Sequence, residues 1–414
     1  MKTISLEYAQ QLIEFAPTEQ TWKMGFAESQ LEGSVAAFNM LARNRIAYLG
    51  DEVGMGKTYV ALAVMALLRF QQPGARIMVI APRENIQQKW IKQQGNFIRS
   101  NWRHIDHRVK GLDGQSVRGC LACPSIEQLA SAIQMQRTSD LILRSTSFSV
   151  GVKTEDAQRR CRSRLQPYVP WVDKKLLATN NFSAFRDNCG RVLNALIPEI
   201  DLLVIDESHN FKHGFHEGVS NRNRILGLAL GHPDGASEEQ PWFRHRVKRL
   251  LLLSATPFEC DYADLHRQLD VFGFGNVSVV DSLGKNPLDV SELCNQEDEE
   301  NQRKILNRFM IRRVQHMRIA GEKHSKNMYR REWRHGGVDT FDSPMSITDP
   351  KQRLIVGLMQ KKVAEVLGDK RFNNRFQIGM LSSFESFMET IRKSQANSGE
   401  RNEDPKPESP FEDD

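Results

Sequence analysis

Short apolar runs at Ile46–Leu49, Ile77–Ala81, 141–143, 202–205 and Leu250–Leu253 constrain this chain more than any other feature. A strand with one wet face alternates apolar and polar residues. These runs do not alternate, so both of their faces are expected to be covered. Helix-patterned segments lie between them, as at 57–70 and 85–93. Strands and helices in alternation imply an α/β fold with a mostly parallel central sheet. A chain of 414 residues, 40% of them hydrophobic, is long enough to bury such a core. The longest apolar run, 59–68, is about half of the ~20 residues that a membrane span needs. The N-terminus has neither a continuous apolar stretch nor a small-residue cleavage site. A soluble, cytoplasmic protein with no membrane partner is expected.

The first run leads directly into Gly50-Asp51-Glu52-Val53-Gly54-Met55-Gly56-Lys57-Thr58, and a helix pattern follows. Between a strand and a helix, small residues let backbone N–H groups wrap a phosphate. The positive end of the helix favours the same charge. Gly54, Met55, Gly56, Lys57 and Thr58 are therefore candidate ligands of ATP. Lys57 is expected to reach the β- and γ-phosphates, and the Thr58 hydroxyl to bind Mg²⁺. Asp51 stands where the general form of this loop has glycine.

The fourth run ends in Asp206-Glu207-Ser208-His209. A strand that delivers two carboxylates to its C-terminal edge places them where ligands of open α/β sheets bind. Asp206 is the candidate metal residue, holding Mg²⁺ with Thr58. Glu207 is the candidate for orienting and activating water. The fifth run is followed by Ser254-Ala255-Thr256-Pro257. The hydroxyls of Ser254 and Thr256 can hydrogen-bond the Asp206–Glu207 box and report the state of the γ-phosphate.

In this order the motifs resemble the RecA-like P-loop domain of superfamily II helicases and translocases. Asp51-Glu52-Val53-Gly54 is similar to the Swi/Snf form of the loop, and within it to the RapA-like branch. The resemblance spans about residues 25–318. It implies a DNA-dependent ATPase with Lys57, Asp206 and Glu207 as catalytic residues. His209 matches the histidine that links the nucleotide site to the Ser254–Thr256 motif. Glu28-Ser29-Gln30-Leu31-Glu32-Gly33 resembles the motif whose glutamine, here Gln30, reads adenine. Val79-Ile80-Ala81-Pro82-Arg83, with Trp90 beyond it, resembles a motif that touches the nucleic-acid backbone. Arg83 and Lys89 are candidates for that contact, with solvated surface charge as the alternative. Ser145 and Thr146 are candidates for phosphate-oxygen contacts, with a plain turn as the alternative. Arg308-Phe309-Met310-Ile311-Arg312-Arg313 resembles the arginine pair that closes the first lobe in Swi/Snf proteins.

Four regions are expected. Residues 1–44 form an N-terminal helical segment that carries the Gln30 motif. Residues 45–318 form the ATP-binding lobe, with a basic helical insertion at about 153–198. Residues 319–395 are a basic, helical extension toward a second lobe, and 396–414 an acidic disordered tail. The formal charge of +6 is uneven, because 397–414 hold seven acidic and two basic side chains. The basic remainder suits a polyanion, with duplex DNA as the expected partner. Arg330, Arg331, Trp333 and Arg334 add arginines beside an aromatic, a nucleic-acid signature that a solvated basic surface also explains.

Six cysteines do not make a disulfide framework in a chain of this length. Cys120 and Cys123 form one CxxC, read either as reduced thiols or as half of a zinc site. His209, His213 and His216 lie close together in sequence, and a metal site there is the lesser reading. No Gln/Arg-rich motif of the kind that a second motor lobe carries is found, and no apolar strand series follows residue 345, so a separate second motor lobe is an expected partner. Strand-separating helicase and nucleotide-controlled binding module are the competing functions.

Overall fold

The computed structural model describes residues 1–15, 24–103, 120–123, 129, 131–133, 140–149, 154–172, 174–179, 181–216, 221–236, 240–258, 261–295, 298–313, 316–319, 322–325 and 351. The chain divides into two units, Met1–Gln315 and His316–Asp414. In the second, one strand at His316–Ile319 pairs antiparallel with another at Glu322–Ser325. The expected helical extension, the basic stretch around 330–334 and the acidic tail fall outside the described residues, apart from those two strands and residue 351.

The first unit is built on a sheet of seven strands among the described residues. In chain order they are β1 (Ile46–Leu49), β2 (Ile77–Ala81), β3 (Cys120–Cys123), β4 (Asp140–Arg144), β5 (Leu202–Asp206), β6 (Leu250–Leu253) and, after a small antiparallel hairpin of β7 (Ser278–Val279) and β8 (Leu288–Asp289), β9 (Met310–Ile311). Their spatial order is β3-β4-β2-β5-β6-β1-β9, and every neighbouring pair is parallel. This is the α/β arrangement with a parallel sheet that the apolar runs imply, and the RecA-like fold that the resemblance implies.

Pleating sorts each run onto two cores. Ile46, Tyr48, Met78, Ile80, Leu203, Ile205, Leu250 and Leu252 face one core. Ala47, Leu49, Ile77, Val79, Leu202, Val204, Leu251 and Leu253 face the other. Because helices cover both sides, every second residue is as apolar as its neighbour.

The second core is closed by α1 (Leu6–Leu12), α2 (Met24–Asn44), α3 (Lys57–Gln71) and α4 (Glu84–Ser100). The N-terminal helices thus share the core of the lobe, through Ala9, Leu12, Phe38 and Leu41. On the first core lie α5 (Glu155–Leu165), α6 (Phe182–Leu196), α7 (Asn221–Leu230), α8 (Ala263–Asp270) and α9 (Glu299–Phe309). The basic stretch 153–198 lies between β4 and β5 in the chain and adds to the first core. Its second helix, α6, buries Phe185, Cys189, Val192 and Leu193 against it. Side chains cap several helices: Ser5 accepts from Tyr8 N, Thr154 from Ala157 N, and Asn181 from Ser183 N and Ala184 N.

One buried ion pair ties the sheet to its covering helices. Arg69 of α3 and Asp140 at the start of β4 are 1% and 2% exposed, and their side chains pair. Gln94 of α4 donates to the other carboxylate oxygen at 2.8 Å. Burial pushes the Asp140 carboxyl upward, and the Arg69 charge opposes it. Removing one partner leaves an uncompensated buried charge, whereas an apolar pair of similar volume does not. Asp140→Ala is expected to cost about 3–5 kcal/mol in urea denaturation, and Arg69→Met with Asp140→Leu to recover most of it.

Candidate nucleotide site

The parallel register brings three loops level at one rim of the sheet. Leu253 of β6 lies opposite both Leu49 of β1 and Asp206 of β5. The residues that follow, Gly50, Glu207 and Ser254, therefore leave the sheet side by side. Between them lies a cleft of about 530 Å³. Gly54, Gly56, Lys57 and Thr58 line it from the loop and α3, Asp206 and Glu207 from β5, Ala255 from β6, and Lys89 and Trp90 from α4. The size suits a nucleotide-sized ligand.

The glycine-rich loop leaves α3 without a lid. Gly56, at its N-cap, has φ +74° and provides no side chain to cap the first amides. Those N–H groups stay available at the positive end of the helix. Lys57 Nζ instead donates to Asp51 O at 2.8 Å and Glu52 O at 3.2 Å. The loop carbonyls occupy the donors that phosphate oxygens would take. Partial burial lowers the Lys57 pKa, and the charges of Glu207, Asp51 and Asp206 oppose that shift. Thr58 sits half-buried in the first turn, and Met55 is buried and forms no part of the cleft wall.

Gln30 reaches the loop from α2. It is buried, and a Cβ built on Gly56 would fall 1.9 Å from its Nε2. A side chain at position 56 cannot coexist with Gln30 in this place. Phe15 and Asn101 also line the cleft. They arrive together through an antiparallel bridge between Ile13 and Trp102, with Glu14 N donating to Asn101 O. Phe15 and Tyr59 both pack on Phe97, with ring centroids 6.2 and 6.3 Å away.

The two carboxylates are adjacent in sequence and unlike in environment. Asp206 Oδ2 accepts from Trp90 Nε1 at 2.7 Å, and Oδ1 from Glu207 N at 3.0 Å. Burial nevertheless holds the Asp206 carboxyl above its ordinary range. Glu207 occupies the left-handed region, φ 51°, which turns its side chain out of the strand line. Its pKa is lowered, first by the hydrogen bond from His209 and then by attraction to His209, Lys57 and Lys89.

His209 Nδ1 lies 3.3 Å from Glu207 Oε2 and 2.9 Å from Ser254 Oγ. Ser254 Oγ also accepts from Thr256 N at 3.1 Å. A second chain of bonds runs beneath. Ser208 Oγ donates to the Tyr48 hydroxyl, Tyr48 donates to Gln268 Oε1, both at 2.8 Å, and Gln268 Nε2 donates to Pro257 O at 2.7 Å. His209, Ser254 and the Thr256 backbone are thus brought together with Glu207. The Thr256 residue itself is exposed.

The proposed nucleic-acid contacts are placed differently. Arg83 is exposed at the start of α4. Ser145 is buried and donates to Pro82 O at 3.2 Å, so its hydroxyl is used within the fold. Thr146 is half-buried in the same 3₁₀ turn, Ser145–Phe148. Among the described residues no group of His, Cys, Asp and Glu could hold a metal ion by itself. Cys123 is buried in β3, and burial raises its pKa to about 11, as befits an unreactive thiol. Sequence reasoning missed Phe15, Tyr59 and Asn101 in the cleft wall, and Trp90 as the partner of Asp206.

No curated protein matches this chain. Among solved structures, the SWI2/SNF2 ATPase core of Sulfolobus solfataricus in complex with dsDNA aligns at 13% identity and TM-score 0.36, over 89% of this chain and 57% of that one. The type ISP restriction-modification enzyme LlaBIII bound to DNA aligns at 10% identity and TM-score 0.31, over 55% and 12%. The Hef helicase domain of Pyrococcus furiosus aligns at 11% identity and TM-score 0.30, over 57% and 36%. The chain thus spans less than two thirds of the length of each of these structures. Residues 23–259, more than half of the chain and the segment that carries every motif around the cleft, match the model of the type III restriction enzyme res subunit, and the chain belongs to that family of superfamily II helicase-type ATPase domains.

Proposed function

We propose that this cleft binds MgATP and hydrolyses it to drive movement on duplex DNA, in the manner of a Swi/Snf-like, RapA-branch translocase. The observation that carries this reading is the meeting of an uncapped α3 N-terminus, Lys57 and two oppositely tuned carboxylates on one rim. The loop amides and Lys57 hold the phosphates. Thr58 and Asp206 supply oxygen donors of the kind Mg²⁺ takes, and the cation, when bound, offsets the burial cost of the Asp206 charge. Glu207 stays ionised and orients water toward the γ-phosphate. Two neighbouring carboxylates pushed in opposite directions mark a division of roles. His209 then relates the state of Glu207 to Ser254, and so to β6. Gln30, over Gly56, reads adenine.

Lys57 and Lys89 are the cationic side chains in the described cleft wall, and no arginine lines it among the described residues. An arginine supplied to the transferring phosphoryl group is worth about 10³–10⁵ in rate. We therefore assign the final charge stabilisation to a second motor lobe, and expect slow turnover wherever that lobe is lacking.

Equilibrium binding of a fluorescent ATP analogue and steady-state hydrolysis, each with and without duplex DNA, test the assignment. Lys57→Ala is expected to weaken binding at least about tenfold by removing a phosphate contact. Glu207→Gln is expected to keep binding and lower turnover by about 10²–10⁴. Equal turnover in Glu207→Gln and the parent chain would take Glu207 out of the chemistry.

The pH profile tests the role of His209. A carboxyl whose pKa is depressed stays charged to lower pH, and losing the bond that depresses it moves the pKa back up. In His209→Ala the acid limb of the turnover profile is expected to move to higher pH. A limb that does not move would mean that His209 leaves the Glu207 charge unaffected.

A further inference from the structure

Asp51 is an anomaly in a phosphate-binding loop. It puts a carboxylate where the general pattern has glycine, and it is fully buried. Its partner lies 262 residues later. Arg313 N donates to Asp51 Oδ1 at 2.8 Å, Arg313 Nε donates to Oδ2 at 3.1 Å, and a terminal guanidinium nitrogen also pairs with Oδ2. The other terminal nitrogen of the same guanidinium donates to Ser29 O and, at 3.0 Å, to Ser29 Oγ. Ser29 immediately precedes Gln30. The backbone repeats the contact, with Gly50 N donating to Ile311 O at 2.7 Å and Glu52 N to Arg313 O at 3.2 Å.

Gly33 completes the arrangement. A Cβ there would fall 2.7 Å from both terminal nitrogens of Arg313, so the guanidinium lies directly on α2. Gly33 and Arg313, which lie outside the cleft wall, and the Asp51 carboxylate therefore form one joint. It connects the start of the phosphate loop, the segment that presents Gln30, and the strand end at β9.

We propose that Arg313 is a positioning residue that sets Gln30 against the loop and so determines the preference for adenine over other bases. Arg313 is not one of the residues that line the cleft. The planar, forked guanidinium suits this task because it bonds a carboxylate and a carbonyl in fixed relative directions, which an ammonium cannot do. The proposal rests on the reading of the cleft as an ATP site.

The test compares binding of fluorescent ATP and GTP analogues in the parent chain, Arg313→Lys, and Arg313→Met with Asp51→Gly. The double variant removes both charges and installs the general loop residue, so it keeps no unpaired buried charge and protects the fold. Thermal unfolding is recorded alongside. The expected result is an ATP-over-GTP preference that falls about tenfold in Arg313→Lys and stays low in the double variant even where its unfolding midpoint returns to the parent value. A tenfold change corresponds to about 1.4 kcal/mol of lost discrimination. A double variant that keeps the parent preference would overturn the proposal and leave Arg313 with a structural role. A parent chain that binds neither analogue would instead overturn the ATP reading itself, so the two failures are distinguishable.

Discussion

The site depends on the registration of β6 between β1 and β5. Leu253 has Leu49 on one side and Asp206 on the other, so three strands run out at the same level. A shift of one residue in either pairing would exchange the faces of a whole strand and bury the wrong side chains. The rows that face the two cores make that shift costly, since Tyr48, Leu203 and Leu252 belong to one core and Leu49, Val204 and Leu251 to the other. Hydrophobic pairing thus fixes polar geometry. The loop, the carboxylates and Ser254 meet because the apolar residues behind them have one satisfactory arrangement.

The electrostatics of the rim follow from how deep each group sits. Asp206 ends its strand under Trp90, and burial raises its pKa despite the indole N–H. Glu207 is one residue further, in a left-handed conformation that turns it toward His209, Lys57 and Lys89. A step of one residue separates a carboxylate whose burial outweighs its two N–H donors from one held by the His209 bond and the charges of Lys57 and Lys89. The lower hydrogen-bond layer through Ser208, Tyr48, Gln268 and Pro257 holds the same loops from the sheet side. Burial pushes the pKa of the Tyr48 hydroxyl upward, which favours the neutral donor.

What could be read from the sequence was local. Apolar runs without alternation gave the parallel sheet, because burial on two faces leaves that mark on each strand. The loop at 50–58 and the pair Asp206–Glu207 were readable because their residue types and strand context lie within a few positions. Partners brought together from afar left no such mark. Nothing near Phe15 indicates that the bridge from Ile13 to Trp102 delivers it to the cleft. Asp51 was visible as a departure from pattern, but Arg313 could not be matched to it from so far along the chain. β3 was read as a CxxC because Cys120-Leu121-Ala122-Cys123 is too short to announce a strand, and its place at the sheet edge comes from pairing with β4. The bond from the Ser145 hydroxyl to Pro82 O, between residues 63 positions apart, left no mark in the sequence either.

The strand order also sets a timetable for synthesis. Among the described strands of this sheet β1 is made first, yet its two neighbours are β6 and β9, whose residues Leu250 and Met310 pair with Ile46 and Tyr48. Some 200 residues must therefore be translated before β1 has any partner. At about 5–20 residues per second that is an interval on the order of tens of seconds. During it, an apolar strand and the glycine-rich loop attached to it lack the sheet that organises them. β2 and β4, by contrast, can pair much earlier, since Met78 meets Leu141. The sheet can grow from that side, and the phosphate loop takes its shape last.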